Sequence, residues 1–139
     1  MNRIHAVLAL MFCAFAGTTG AQTTPTFAVR QEFAPLTSGD PRTSVAAVDV
    51  NDDGKRDLIT VDYDTKASVA LNTGATGATV PSFGAAVDFE VGDSPWAVTA
   101  ADVNDDGKPD LLVANSSDST VSVLLNAMAS GAAAPAFAA

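Results

Sequence analysis

Two short stretches of the sequence concentrate oxygen-bearing side chains at a spacing that could bind a cation. One begins at residue 49 and the other at residue 102, and they agree at nine of ten positions. Read as nine-residue loops, both have such side chains at positions 1, 3, 5 and 9, and alternate residues of a tight loop can converge on one point. Glycine at position 6 allows a left-handed turn. The two sets are Asp49, Asn51, Asp53 and Asp57, and Asp102, Asn104, Asp106 and Asp110.

These residues offer the chemistry of a calcium site. Ca²⁺ takes about 6–8 oxygen ligands, and each loop would supply four side chains, the main-chain carbonyl of Lys55 or Lys108 at position 7, and water. Neither loop contains His or Cys, which disfavours zinc and copper. Mg²⁺ is disfavoured because it demands stricter geometry and retains more water. The sequence therefore predicts about two Ca²⁺ per chain, one in each loop.

Two other interpretations of the loops are an EF-hand and a solvated acidic turn. An EF-hand needs a bidentate Glu at position 12, where this chain has Thr60 and Val113, both in predicted strands. The EF-hand is thereby excluded in favour of a strand–loop–strand site. The remaining alternative is a solvated acidic turn between strands, and the presence of two near-identical copies favours the metal site over it.

Composition narrows the classes of function. The chain has 139 residues, of which 47% are hydrophobic and 17% charged, which fits one folded domain. Its formal net charge of -9 argues against nucleic acid or an anionic membrane surface as partner. The only His and the only Cys are His5 and Cys13. Both lie in the N-terminal segment that is predicted below to be cleaved. Without them, catalysis by a Ser-His-Asp or Cys-His arrangement or by His-ligated zinc is excluded. The carboxylates outside the loops are scattered, so we predict that the protein is not an enzyme.

The first residues have the character of a secretory signal, predicted at 1–21. Arg3 precedes an apolar run at 6–16, and small residues follow. We expect cleavage after Ala21, with Ala16 as the alternative. The run is too short to span a bilayer, so no membrane span is expected, and lipidation at Cys13 is disfavoured by the bulky Phe12. The product is predicted to be secreted, periplasmic or on the cell surface.

The region 22–139 consists of repeats. The loops recur at an offset of 53, and the strand that follows recurs at an offset of 54. Repeats are predicted at about 25–80 and 81–134, with the start of a third at 135–139. Strands are expected at 27–33, 45–50, 58–61 and 67–71, and again at 83–91, 96–103, 111–114 and 121–125. Four short strands per repeat is typical of a propeller blade, and the Ala-rich tail aligns with the linker 73–83 and is predicted to be a loop.

The repeated motif Asp-x-Asn-x-Asp-Gly-Lys-x-Asp-Leu, with Leu-Val-Ala-Asn-Ser-Ser and Val-Ser-Val-Leu-Leu-Asn after it, resembles the FG-GAP/VCBS-type repeat of integrin-α-like β-propellers. The resemblance implies Ca²⁺ held between two strands of a blade by the side chains named above. Asp52 and Asp105 occupy position 4, where many members have Gly. Rings of this family have about seven blades and this chain holds two. The fold class expected is all-β, with two four-stranded antiparallel propeller-type blades of an incomplete β-propeller.

The function predicted from the sequence is an exported, non-catalytic calcium-binding module for interaction with a protein or glycan. The alternatives are a truncated stub of a larger repeat protein and an accessory domain of a secreted polysaccharide-acting enzyme. Two blades would leave an outer face of each uncovered, and one of these faces would carry either Val121, Val123 and Leu125 or their opposite-facing neighbours Leu124 and Val113. We therefore expect self-association, partial disorder or dependence on a longer parent chain. Trp96 begins an apolar strand and is predicted to pack in the core.

Overall fold

The computed structural model describes Phe33 and residues 44–138, all within one of the two units of the chain, Glu32–Ala139. The predicted signal segment 1–21 and all but the last residue of the strand predicted at 27–33 lie outside the described residues. Strands and turns make up the described part. No helix in that range has the length and apolar character needed to cross a bilayer.

The first sheet has four antiparallel strands that follow one another along the chain. They are β1 (Ser44–Val48), β2 (Asp57–Val61), β3 (Lys66–Ala70) and β4 (Val87–Glu90). Alternate residues of the two middle strands are apolar and pair across the ladder, with Ile59 opposite Val69 and Val61 opposite Ala67. Because side chains alternate across a strand, these four lie on one face of the sheet.

The second sheet repeats this order, again with every neighbouring pair antiparallel. Its strands are β5 (Pro95–Ala101), β6 (Asp110–Asn115), β7 (Thr120–Asn126) and β8 (Phe137–Ala138). The prediction of an all-β fold with two four-stranded antiparallel sheets is confirmed, and the arrangement is open rather than closed into a ring. The Ala-rich tail 127–139 was predicted to be a loop from its alignment with residues 73–83; this is confirmed up to residue 136, whereas Phe137–Ala138 forms β8.

The sequence repeats and the sheets are out of phase. The strand predicted at 83–91 opens the second sequence repeat, but β4 pairs with β3 and closes the first sheet. In the same way, β8 belongs to the segment that opens the third repeat and pairs with β7 of the second sheet. Each sheet therefore takes its last strand from the sequence repeat that follows it.

The core lies between the two sheets. The first sheet contributes Ile59, Val61, Ala67 and Val69, all fully buried, and the second contributes Leu111, Val113 and Leu124, in one apolar cluster. The sheets approach through β1 and β2 against β5. Burial of this apolar surface, at about 25 cal/mol per Å², is what holds one sheet on the other.

The opposite side of the second sheet stays exposed, and we call it the outer face. It consists of the strand positions that alternate with the buried ones, namely Ala97, Thr99, Ala101, Leu112, Ala114, Val121, Val123 and Leu125. Of the two sets predicted to be uncovered, the exposed one is Val121, Val123 and Leu125.

Trp96 is not in the core, and that prediction was wrong. Its side chain is 60% exposed. The cause is a break in the register between β5 and β6, between Pro95 and Ala97. Such an irregularity interrupts the alternation of side chains, so an apolar residue at the start of a strand does not have to point inward.

Candidate metal centre

The two acidic loops connect the first two strands of each sheet, β1 to β2 and β5 to β6. The carboxylate at position 1 organises each of them in the same way. Asp49 Oδ1 accepts from the N–H of Asp53 at 3.1 Å, and its Oδ2 accepts from the N–H of Gly54 at 2.7 Å. Asp102 repeats both bonds to Asp106 and Gly107, at 3.1 and 2.7 Å. The similarity in sequence is therefore also a similarity in conformation.

The tight turn of each loop uses two left-handed residues. Gly54 has φ 81° and Gly107 has φ 85°, as predicted for position 6. Space around Gly54 is open, so it is the backbone angle that favours glycine there. Asp52 at φ 55° and Asp105 at φ 59° are also left-handed. Asp tolerates this conformation better than most residues, which gives the acid at position 4 a conformational role that the sequence analysis missed.

Position 9 is the most deeply buried part of each loop. Asp57 is 1% exposed and Asp110 is fully buried. Asp57 Oδ2 accepts from Val50 N–H at 2.9 Å, and its Oδ1 accepts from Asn72 N–H at 2.8 Å. Asp110 makes the equivalent bonds to Val103 and Asn126, at 3.1 and 2.7 Å. These aspartates tie the loop to the end of the third strand of the sheet, and each oxygen keeps a second lone pair for a cation.

Positions 5 and 7 are joined by hydrogen bonds. The N–H groups of Lys55 and Lys108 donate to Asp53 Oδ1 and Asp106 Oδ1, both at 2.9 Å. In the first loop the ammonium of Lys55 also lies 3.1 Å from Asp53 Oδ2. In both loops the second carboxylate oxygen at position 5 also accepts from the amide at position 3, from Asn51 Nδ2 at 3.4 Å and from Asn104 Nδ2 at 3.2 Å.

Position 3 differs between the loops. In the second loop, Asn104 Oδ1 accepts from Asp106 N–H at 3.0 Å, and Asn104 is exposed together with the rest of residues 102–107. In the first loop, Asn51 is 4% exposed, and its Nδ2 donates to Ala132 O at 2.9 Å. Asn51 Oδ1 is buried and has no hydrogen-bond partner. A buried carbonyl oxygen without a partner is costly, and a bound cation would satisfy it.

Two acids of the first loop have pKa values shifted in opposite directions. Burial raises the pKa of Asp57, helped by the negative charges of Asp53 and Asp49 and opposed by the hydrogen bonds from Asn72 and Val50. For Asp53, burial acts in the same direction, but the hydrogen bonds and charge of Lys55 outweigh it and lower the pKa. Ionising Asp57 is therefore unfavourable, as expected at a site where no positive charge balances the carboxylate.

The described residues contain no group of three or more His, Cys, Asp or Glu side chains drawn together closely enough to hold a metal ion as they stand. The structure thus brings the predicted residues into two loops of common shape, with positions 5 and 7 in contact and position 9 held by main-chain N–H groups. Completing a coordination sphere would require positions 1, 3, 5 and 9 to close on the ion.

A segment outside the two loops, residues 126–131, hydrogen-bonds to the first loop. The sequence did not predict this role. Asn126 Nδ2 donates to Val50 O at 2.8 Å, and Gly131 N–H donates to Asn51 O at 2.5 Å. Ser130 Oγ donates to Asp52 O at 3.2 Å. The repetition of Asn72 as Asn126 was the available signal, since both side chains also bind the carbonyl just before position 9.

A cleft of about 300 Å³ opens where the first loop, the second loop and this segment meet. Its wall combines carboxylates, one ammonium group and a thioether. The lining includes Asp49, Asp52, Lys108, Met128 and Ser130.

Comparison with known families places a described repeat over both acidic loops. Residues 49–113 match the FG-GAP-like repeat, a span that begins at position 1 of the first loop, includes the whole second loop and ends in β6. No curated protein and no solved structure matches the chain. The matched span contains every residue predicted to bind the cation, and over that span the chain is similar to FG-GAP-type repeat proteins, with which its two antiparallel sheets are consistent.

Proposed function

We propose that this protein is an exported, non-catalytic FG-GAP module that binds Ca²⁺ in its two acidic loops and contacts a protein or glycan. The observation that carries the calcium assignment is the buried, unpartnered Oδ1 of Asn51. It belongs to a loop with carboxylates at positions 1, 5 and 9, so the unsatisfied oxygen and the unbalanced charge occur together. A hard cation would satisfy both.

The donor set fits calcium in each loop. Asp49, Asn51, Asp53 and Asp57 would hold the first ion with the carbonyl of Lys55. The second ion would be held by Asp102, Asn104, Asp106 and Asp110 with the carbonyl of Lys108. Every donor is oxygen, which suits Ca²⁺ better than softer metals.

The ion would act on structure rather than on a reaction. Each loop joins two strands of one sheet, and position 9 connects it to a third strand through Asn72 or Asn126. FG-GAP repeats generally serve as structural or interaction modules. The cleft beside the first loop offers the charged groups of Asp49, Asp52 and Lys108, a surface that suits a protein or a glycan partner.

Isothermal titration of Ca²⁺ into metal-free protein tests the assignment. We expect two ions per chain, with dissociation constants of about 10⁻⁴–10⁻³ M as in extracellular modules. In the variant Asp53→Asn with Asp106→Asn, both sites should lose most of their affinity. Asparagine keeps the oxygen that accepts from Lys55 or Lys108, so the hydrogen bonds of the loop can persist while the charge is removed.

A matched control is available inside the same loops. Asp52→Asn with Asp105→Asn removes two charges at position 4, which is not a predicted ligand, and Asn tolerates the left-handed backbone. This control should still bind two ions. If the position 5 variant and the position 4 variant bind Ca²⁺ equally, the ligand assignment is wrong.

A further inference from the structure

The outer face of the second sheet is an apolar surface without a cover in the described structure. Val121 is 61% exposed, Val123 41% and Leu125 40%. Thr99, Leu112 and Val123 form one row across three strands, and Ala97, Ala114 and Val121 form the next. Scattered exposed apolar residues are ordinary, but a contiguous group of this kind marks an interaction surface.

The sequence repeat shows which residues of the first sheet correspond to the outer face of the second sheet. The repeat offset of 53 relates Leu112 to Ile59, and the offset of 54 relates Val121 and Val123 to Ala67 and Val69. Those three residues of the first sheet are fully buried, in the cluster that includes the second sheet. The outer face therefore repeats, position by position, a surface that this fold covers with another sheet.

Charge restricts which surface of an acidic chain can meet it. The chain has a net charge of -9, so two copies repel each other over most of their surfaces. On the outer face the strands carry no exposed charge, because the single charged residue in this register, Asp110, is fully buried. Two outer faces can therefore meet without placing exposed strand carboxylates against each other.

The opposite side of the first sheet is not free for a head-to-tail contact. Its central residues Thr60, Ser68 and Ala70 are 4%, 0% and 3% exposed. We therefore propose that the outer face is a homodimer interface, occupied by the outer face of a second copy related by a two-fold axis. Such self-complementary two-fold contacts are the commonest in soluble oligomers.

The size of the face sets the strength of the contact. Three strands of up to seven residues measure about 15 Å by about 23 Å. This is smaller than the roughly 800 Å² that each partner contributes to a standard stable interface. The dimer is accordingly weak and concentration-dependent, forming between about 10 µM and about 1 mM.

Sedimentation equilibrium of the purified protein, with its N-terminus established by intact mass, tests the interface. The mean mass should rise towards twofold across that concentration range. Val121→Glu should keep the monomer mass at every concentration, because in the dimer its carboxylate would be buried in an apolar contact. Val45→Glu is the matched control, since Val45 is 63% exposed on the other sheet and the charge change is the same. It should dimerise like the unmodified protein.

Cross-linking tests the two-fold geometry. Leu112 lies on the middle strand of the face, so in a two-fold dimer it opposes itself across a sheet spacing of about 10 Å. In a Cys13→Ser background, Leu112→Cys should give a dimer with a bis-maleimide of that reach, and Val45→Cys should not. A monomer at all concentrations, loss of dimer in both glutamate variants, or equal cross-linking at both cysteines would overturn the proposal.

Discussion

Asp57 is the residue at which burial and charge conflict most directly. Its side chain is almost fully buried, and its oxygens accept main-chain N–H groups on both sides. Two nearby carboxylates, Asp53 and Asp49, add to the cost of ionising it. A residue in this position supports the fold through its hydrogen bonds and opposes it through its charge, unless a cation balances that charge.

This conflict predicts the pH behaviour of the metal-free protein. Burial raises the folded pKa of Asp57 above its usual 3.8, so the folded state holds a proton that the unfolded chain has already released. The resulting stabilisation is complete below pH 3.8 and is lost as the pH rises through the raised folded pKa. Carbon-detected NMR titration in EDTA should therefore give Asp57 a midpoint above 3.8.

Asp118 supplies the comparison in the same titration. A hydrogen bond from the Thr120 hydroxyl, together with main-chain N–H donors, lowers its pKa. Its midpoint should lie below 3.8, and adding Ca²⁺ should move Asp57 downwards and leave Asp118 in place. A midpoint for Asp57 at or below the usual value in EDTA would contradict the account of burial.

Single residues were predicted well where one physical rule decides the outcome. Gly54 and Gly107 are left-handed as expected, because few other residues tolerate that conformation. Trp96 was predicted wrongly because hydrophobicity does not report a break in strand register. The sequence also could not distinguish Asn51 from Asn104, because their difference comes from residues about 80 positions further along the chain, which contact only the first loop.

Among the elements, the two loops share a conformation but not an environment. The first is held from outside by Asn126, Ser130 and Gly131, whereas every residue of the second from Asp102 to Gly107 is exposed. A loop already held in shape loses less conformational freedom when it closes on an ion. The first site should therefore bind Ca²⁺ more tightly than the second.

Titration of the single variants measures that difference. Asp106→Asn leaves the first site intact, and Asp53→Asn leaves the second. We expect the remaining site in Asp106→Asn to bind about 3- to 10-fold more tightly, the equivalent of about 1 kcal/mol of ordering cost. Adding Asn126→Ala to Asp106→Asn should remove part of this advantage. Equal affinities in the two single variants would show that the contacts around the first loop do not pre-organise it.

The strands were predicted closely and their grouping was not. Seven predicted strands within 44–126 correspond to β1 to β7, because short apolar runs between Gly, Asp and Asn turns leave few alternatives. Hydrogen bonding between strands depends on three-dimensional proximity, so nothing in the repeat pattern indicated that β4 would close the first sheet.

At the scale of the molecule, the fold has a small core, to whose stability the proposed Ca²⁺ would add. One apolar cluster between two sheets supports all of the described part. A ligand that binds only the folded state stabilises it, by about 2.7 kcal/mol per independent site at 100 times its dissociation constant. Calcium in both loops would thus contribute a large share of the net stability of a domain this small.

Chelation should therefore lower the melting temperature. We expect a drop of about 10 °C or more on replacing saturating Ca²⁺ by EDTA, followed by circular dichroism. Asp53→Asn with Asp106→Asn should melt at one temperature in both conditions, while Asp52→Asn with Asp105→Asn should respond like the unmodified protein. A melting curve of the unmodified protein that is indifferent to EDTA would identify the loops as solvated acidic turns.

The overall architecture followed from the repeat and from strand counting. An uncovered face was expected on each sheet, but only the second sheet has one among the described residues, because Thr60, Ser68 and Ala70 on the opposite side of the first sheet are buried. The sequence could not decide which of the two alternating sets is uncovered. Periodicity shows that Val121, Val123 and Leu125 share a face, but it does not show which neighbouring sheet that face meets. The packing of β1 and β2 against β5 decides it.

The displacement of each sheet from its sequence repeat has a consequence for how such chains can be cut and recombined. A break in the linker at residues 80–81 divides two similar sequences cleanly, yet it removes β4 from the first sheet and leaves β3 as an open edge. Open edges invite pairing with other chains. A unit inserted by recombination at the same linker, in contrast, lends its first strand to the sheet before it and receives one from the unit after it. Each added repeat is thereby hydrogen-bonded to its predecessor from the moment it is inserted, so arrays of this kind can lengthen one unit at a time but cannot be divided between repeats without exposing an edge.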